Sequence, residues 1–331
     1  EGIWFEWQEV TRLAFAFGGP PTTNGVEPGR CAVEATGPVV SPGGRYLAAM
    51  VRSHGLRLCL LDAVSMRRLK TLHLVSPGDS EIVGSFSFDE TQFAFSSADR
   101  LHIVSIPSGL PISCSRIPGI TTMGDVSWSP DGQSVALCAQ SGSTSMVLLF
   151  SVKDGTFIRV VSDSLVHRQP SWSQDGSRLC FVTQRVPKGT HGCVATSISV
   201  FDITTREGSR ILLAPWATHL SPHFGPGGEW LYFVANAEGI GRLYRYSFAE
   251  STFCALSRPE QLIWGPGPLS TVLTVSPRSG EVFCTQLQAG RFMLVRLGDQ
   301  TCLKTNRCTK SNFLSAIALP PSGRPDQRVF R

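Results

Sequence analysis

Side chains able to do chemistry are spread thinly along this chain. The seven histidines are His54, His73, His102, His167, His191, His219 and His223, and only the last two form a close pair. An H-x-x-x-H spacing starts a zinc site when both imidazoles sit on one helical face. Here the span holds Ser221-Pro222 and leads into an apolar, strand-like stretch, so loop histidines satisfied by backbone or water are expected. No C-x-x-C occurs, and Cys302 and Cys308 have no partnering histidine; no metal site is expected. The nucleophile elbow G-x-S-x-G and the phosphate cradles G-x-G-x-x-G and G-x-x-x-x-G-K-[ST] are also missing. Asp89, Asp125, Asp163 and Glu229 are carboxylates whose spacing shows no pairing. No catalytic residue and no cofactor is therefore assigned.

What remains chemically distinctive is charge and aromaticity at the chain's ends. The formal net charge is +5. From Thr301 onward the basic residues Lys304, Arg307, Lys310, Arg324, Arg328 and Arg331 face a single acid, Asp326. The rest of the chain is neutral, which argues against histone-like binding of nucleic acid over the whole surface. The basic end suits an acidic protein surface or an RNA backbone, because guanidinium groups match phosphate bidentately. A second basic set, Arg52, His54 and Arg57 with Arg67, Arg68 and Lys70, falls on hairpin tips, where charge serves solubility. Trp4, Phe5 and Trp7 are crowded at the other end, and an outward Trp4 would be a partner-binding anchor.

Ten cysteines are present. Cys59, Cys138, Cys180 and Cys284 sit inside apolar runs (LRLCLL, VALCA, RLCFV, VFC), where a thiol acts as a small hydrophobe. Free thiols in a reducing intracellular compartment, the cytoplasm or an organelle such as the mitochondrion, are expected. No window nears 18 consecutive apolar residues, so no transmembrane segment is expected, and no signal peptide is visible.

The elements that must position these groups come from an internal repeat. VSWSPDGQSVAL (126–137) recurs as PSWSQDGSRLCF (170–181), with weaker copies at 39–48, 85–95, 222–233 and 273–284. The copies align on Ser41, Ser87, Ser129, Ser173, Gly225 and Ser276. A repeat of some 40 to 50 residues, each apolar stretch ending in a Pro-, Asp- or Gly-rich turn, belongs to a four-stranded propeller blade. Asp131-Gly132 and Asp175-Gly176 supply the positive φ of a tight turn. Trp128 and Trp172 share one aligned position, with Phe224, as aromatic wedges between blades. No stretch of 12 residues has helical periodicity.

The expectation is thus an all-β, single-domain β-propeller over residues 1–331. Residues 38–306 form six blades, 18–37 a connecting loop, 1–17 closing strands, and 307–331 the start of a closing blade with the basic end. Two strands from each terminus then make a seventh four-stranded blade and close the ring; six blades is the alternative.

The anchor W-S-P-D-G-x-x-[VIL]-A resembles the repeat of TolB-like propellers, which recurs in prolyl-oligopeptidase-type enzymes. The WD-repeat family is a near neighbour, but its Gly-His and Trp-Asp signatures are missing. The resemblance implies a propeller that offers its loops and rim to other proteins. Prolyl-oligopeptidase relatives add an α/β-hydrolase domain, whose nucleophile motif this chain lacks. Ser129 and Ser173, each in an S-x-D-G piece, resemble half of a sialidase Asp-box, a structural motif, and no arginine triad accompanies it. Gly78-Asp79-Ser80-Glu81 is similar to the opening of a lipase block but falls in an interblade loop. The expected function is a noncatalytic interaction scaffold, a subunit of a larger intracellular protein or ribonucleoprotein assembly. The alternatives are a small-molecule-binding or lactonase-like propeller using its central channel, and a periplasmic TolB-like protein.

Overall fold

The structure is a computed structural model and describes residues 32–52, 56–72, 84–185, 195–258, 260–267, 270–297 and 307–308. It is an all-β propeller of six blades. Blade 1 holds β1 (Ala32–Val40), β2 (Tyr46–Arg52), β3 (Leu56–Asp62) and β4 (Arg68–Thr71). Blade 2 holds β5 (Gly84–Phe86), β6 (Gln92–Ser97), β7 (Arg100–Ser105) and β8 (Pro111–Arg116). In blade 3 the strands are β9 (Thr122–Trp128), β10 (Ser134–Ser141), β11 (Thr144–Ser151) and β12 (Phe157–Asp163). Blade 4 has β13 (His167–Trp172), β14 (Arg178–Arg185), β15 (Ala195–Asp202) and β16 (Gly208–Ile211). Blade 5 has β17 (His219–Phe224), β18 (Trp230–Ala235), β19 (Arg242–Ser247) and β20 (Thr252–Ala255), and blade 6 has β21 (Leu273–Val275), β22 (Val282–Gln288) and β23 (Arg291–Leu297). Arg307–Cys308 forms a short β24 against β20, placing a fifth strand on blade 5.

Burial follows position within a blade. Middle strands lie between two neighbouring blades, so both faces are covered and the sequence reads as a continuous apolar run: Val135–Ala139 on β10 and Met146–Phe150 on β11 are buried throughout. Outer strands alternate weakly or not at all, and five of the six residues of β8 are exposed. The core falls into six clusters, each between two consecutive blades. Trp128 packs with Leu101 and Ile103 of blade 2, and Phe181 with Val147 of blade 3. Phe283 and Leu294 of blade 6 pack with Leu47 and Cys59 of blade 1. Phe93, Phe95, Phe181, Phe233 and Phe283 are fully buried in this way, each contributing roughly 2–3 kcal/mol.

Two expectations are corrected here. The blade number is six, not seven. Val40 N of blade 1 donates to Thr274 Oγ1 of blade 6 at 3.2 Å, and the two blades share a core cluster, so a seventh blade has no gap to enter. Residues 32–37 are also strand, not connecting loop. Ala32–Glu34 pairs with β23, in register Ala32↔Val295 and Glu34↔Met293, before the same strand continues as the inner strand of blade 1. Val33 and Ala35 alternate with Glu34 and Thr36, and Gly37-Pro38 ends this pattern without ending the strand. Gly37, at φ 60°, absorbs a register shift between Thr36 and Val39. The proposed closing strands 1–17, the C-terminal strands beyond Cys308 and the segment 301–305 lie outside the described residues.

Candidate functional site

The inner strands of a propeller surround a channel, and the turns that follow them set its mouth. Those turns share a serine-centred lock. Ser129 Oγ donates to Asp131 Oδ1 at 2.5 Å and accepts Ser134 N at 2.9 Å, while Gln133 N donates to the same Asp131 oxygen. Ser173 with Asp175 and Ser87 with Asp89 repeat the arrangement at 2.6 Å. The Ser173 and Ser87 hydroxyls hold Asp175 and Asp89 below the usual carboxylate range. Gly132 and Gly176 both have φ 72°, the left-handed conformation that this turn position requires. Ser276 keeps a reduced version, accepting Ser279 N at 3.2 Å. In blade 5 the anchor is Gly225, where a Cβ would lie 2.7 Å from the Tyr232 ring.

Four residues before each anchor, the inner strands carry a second set of bonds that ties blade to blade. Gln169 N donates to Asp125 Oδ2 at 2.9 Å, Ser221 N to Gln169 Oε1 at 2.7 Å, and Val272 N to Ser221 Oγ at 2.9 Å. Gln169 and Ser221 have φ 54° and 50°, each beside a register shift that aims its backbone at the neighbouring blade. Two residues before the anchors lies a ring of hydroxyls and one imidazole. Trp128 N donates to Ser85 Oγ at 2.9 Å, and Ser171 Oγ meets His223 Nδ1 at 3.2 Å. Burial lowers the His223 pKa to about 4, against a smaller opposing effect of a backbone hydrogen bond at Leu273. Burial pushes the Asp125 carboxyl upward, opposed by Arg168 and by the Gln169 N–H. The channel between these rings holds a cavity of ≈ 130 Å³ lined by all six blades.

The residues singled out in the sequence fall into three groups. Trp128 and Trp172 line the cavity, and Trp172 Nε1 donates to Ser127 O of the preceding blade at 3.2 Å. Of the four candidate carboxylates only Asp125 reaches the channel: Asp89 serves its own turn, Asp163 accepts Leu165 N and meets His167, and Glu229 is exposed. His219 and His223 sit on strand β17, not in a loop. Both ring nitrogens of His219 are engaged, Nδ1 with Thr196 O at 2.7 Å and Nε2 by Leu213 N at 3.1 Å. Among the described residues no three His, Cys, Asp or Glu side chains gather. Cys59, Cys138, Cys180 and Cys284 are buried thiols outside any disulfide, and burial pushes the Cys138 and Cys180 thiols far up. Cys254 departs from the expectation of free thiols, being disulfide-bonded on the strand that β24 flanks. Arg57, Arg67, Arg68 and Lys70 are exposed, with Lys70 Nζ bonded to Ser108 O. The backbone of Arg307 pairs with Cys254; Trp4, Lys304, Lys310, Arg324, Arg328, Arg331, His54 and the segment 78–81 lie outside the described residues. The sequence reading missed Trp216, the most exposed large hydrophobic side chain among the described residues at 68%, held by a bond from its Nε1 to Ala237 O. Its loop between β16 and β17 has no repeat signature to reveal it.

The described residues contain no helix long and apolar enough to cross a membrane. No family model matches the chain. Its fold is similar to TolB from Acinetobacter baumannii, with a TM-score of 0.51, 16% identity, and coverage of 80% of this chain and 55% of that one. In fold, the chain is a β-propeller. A puromycin-hydrolyzing peptidase of Mycobacterium tuberculosis is similar over 77% of this chain and 43% of its own, with a TM-score of 0.55 and 16% identity. In sequence the chain resembles one of the subunits of eukaryotic translation initiation factor 3 from Xenopus laevis, 30% identical over 179 residues. That match covers 50% of this chain, which spans only 25% of the length of the frog protein.

Proposed function

We propose that this propeller is a noncatalytic scaffold within a cytoplasmic assembly of the translation-initiation kind. The observation that carries the reading is the 30% identity over 179 residues to a subunit of such a factor. The site geometry is compatible with it. The Asp125, Gln169, Ser221 and His223 side chains bond from one blade to the next and so hold the ring of blades together. A rigid ring of blades fixes its loops, and several loops together cover an interface of standard size. Trp216, exposed yet pinned, has the form of an interface anchor, and the basic C-terminal end suits an acidic subunit or RNA.

The test is the native mass of the protein from gently lysed source cells, with identification of whatever co-migrates. Elution in a large complex with initiation-factor subunits is expected, and Trp216→Ala should weaken that association at least tenfold. Loss of the complex on ribonuclease treatment would assign RNA to the basic end. Elution alone near the 35.9 kDa of one chain would overturn the scaffold reading.

A further inference from the structure

The cavity in the channel has a layered lining. Pro42, Phe88, Pro130 and Pro277, from the turns that follow the inner strands, are half-buried at its edge. Deeper come Ser127, Ser171, His223 and Thr274, and then Asp125, Gln169 and Ser221. Several of these polar groups keep hydrogen-bonding capacity after the blade-to-blade bonds are made. Ser127 Oγ has no partner among the described residues. Ser221 and Thr274 hydroxyls each accept one backbone N–H and retain their own proton to donate. Gln169 N donates to Asp125 Oδ2.

In the cavity lining, two buried groups are left without any partner among the described residues. Trp128 is 7% exposed, lines the cavity, and its Nε1 is unbonded, whereas the aligned Trp172 donates to Ser127 O. Thr271 is 6% exposed and its Oγ1 is likewise unbonded in the same lining. Native proteins leave few buried polar groups unmade, and a missing ligand is one explanation for those that persist.

We propose that this cavity binds an uncharged polyhydroxylated ligand, a polyol or the terminal unit of a sugar, entering hydroxyl-first past the proline rim. Charge is disfavoured on both sides. Among the described residues no lysine or arginine lines the cavity, so an anion would be buried uncompensated beside Asp125. A cation would find one carboxylate, Asp125, as the single opposite charge among the described lining residues. Burial also drives Asp125 and His223 toward their neutral forms, the effect it would have on a charged guest. Hydroxyls that both donate and accept match a lining of hydroxyls, an amide and one carboxylate, and the ring or chain carbons of a polyol match prolines and Phe88. A cavity of about 150 Å³ accommodates a benzene-sized guest of six heavy atoms. Glycerol therefore fits within, and a hexose fits by leaving its far side at the rim.

Saturation-transfer NMR on the full chain, with glycerol, erythritol and glucose as probes and acetate and inorganic phosphate as charged comparisons, tests this. Transfer from the polyols, undiminished by the ions, is expected. Trp128→Phe removes the donor together with part of a buried ring, and Ser127→Ala removes a hydroxyl that no part of the described fold uses. Each should weaken polyol binding at least threefold, and together at least tenfold, with an unchanged melting temperature in Ser127→Ala and a lowered one in Trp128→Phe. Should Trp128→Phe prove unstable, Ser127→Ala alone decides. No transfer from any polyol, equal transfer in the variants, or displacement by acetate or phosphate would overturn the proposal while leaving the scaffold reading intact.

Discussion

In blades 3 and 4 the turn after the inner strand is held from within, by Asp131 and Asp175 two residues beyond the anchor serine. In blade 1 the aligned position is Gly43, which has no carboxylate, and the bond comes from outside. Glu90 of blade 2 reaches across, accepting Ser41 Oγ and Gly43 N at 2.5 Å each. Glu90 occupies the turn position that is glycine in blades 1, 3 and 4, and adopts φ 61° there, a conformation that costs a side chain about 1 kcal/mol. Blade 5 departs further, with Gly225 at the anchor and His223 where blades 2, 3 and 4 have serine. In their turns the regular blades are locally self-sufficient, and blade 1 depends on its neighbour. In the blade 1 turn, degeneracy of the repeat has thus moved a bond from within the blade to between blades, adding to the blade-to-blade bonds that the inner strands make.

The largest effect expected of this coupling is acid sensitivity at blade 5. His223 is neutral in the folded protein and its pKa is lowered to about 4 from an ordinary 6.5. Above pH 6.5 it is neutral whether folded or unfolded, and its contribution to stability is constant. Below that, the unfolded chain binds the proton first, so stability falls as pH drops from 6.5 toward 4. The loss reaches about 3 kcal/mol at the lower end. Asp89 and Asp175 of the regular turns, whose pKa values are lowered, act only further down, where stability is lost as pH falls below the ordinary 3.8. Denaturant unfolding between pH 4 and 7 should show the slope in the native chain and lose most of it in His223→Ser, which restores the residue of the regular blades. An unchanged slope would place the titrating group elsewhere.

Next in size is a substitution that looks like a repair. Gly225→Ser restores the anchor of every other blade, yet its Cβ would stand 2.7 Å from Tyr232 Cε2. Tyr232 is 8% exposed and packed, so the ring has little room to withdraw. A destabilisation of about 2 kcal/mol is expected, the usual cost of overpacking. Gain of stability would mean that the tyrosine moves freely. In the regular blades, Gly132→Ala should cost about 1–2 kcal/mol for another reason, the left-handed φ of 72°. Thermal melts of both variants separate a packing penalty from a backbone one.

These differences mark how far the sequence could be read. The period, the anchor serines and the Asp-Gly turns were legible because each regular blade encodes them locally, within a dozen residues. Six anchors were visible, and the apolar pieces at the two ends suggested a seventh blade. That inference failed because blade 6 is flanked by Ala32–Glu34, more than 250 residues away in sequence, a pairing no local pattern announces. The channel was half legible. Its lining occupies two aligned columns, four and two residues before each anchor, where Asp125, Gln169, Ser221, Ser127, Ser171 and His223 interrupt otherwise apolar strands. The columns could have been extracted from the alignment of repeats, but the bonds between them depend on strand bulges at Gln169 and Ser221. Glu90 was illegible for the same reason: its partner turn lies a whole blade away.

The sharpest test of borrowed against local bonding is a double-mutant cycle at that site. Glu90→Ala removes the carboxylate from Ser41 and Gly43, and at a partly exposed position this should cost about 1 kcal/mol. Gly43→Asp installs the residue that blades 3 and 4 carry. Alone it too should destabilise, because its Cβ would lie 2.7 Å from Glu90 Oε1 and a second carboxylate would face the first. Together, the new Asp can accept Ser41 Oγ as Asp131 accepts Ser129, and the double variant should return to within about 0.5 kcal/mol of the native chain. The two changes would then be strongly non-additive, as expected for groups competing for one site. Hydrogen exchange at the Tyr46 amide, which donates to Ser41 Oγ, gives the local readout: protection lost in Glu90→Ala and regained in the double variant. Simple additivity would show that Glu90 merely lies against the blade 1 turn. Recovery would show that a turn can change the blade supplying its carboxylate and keep its geometry, so a blade can lose its repeat signature while the ring stays intact.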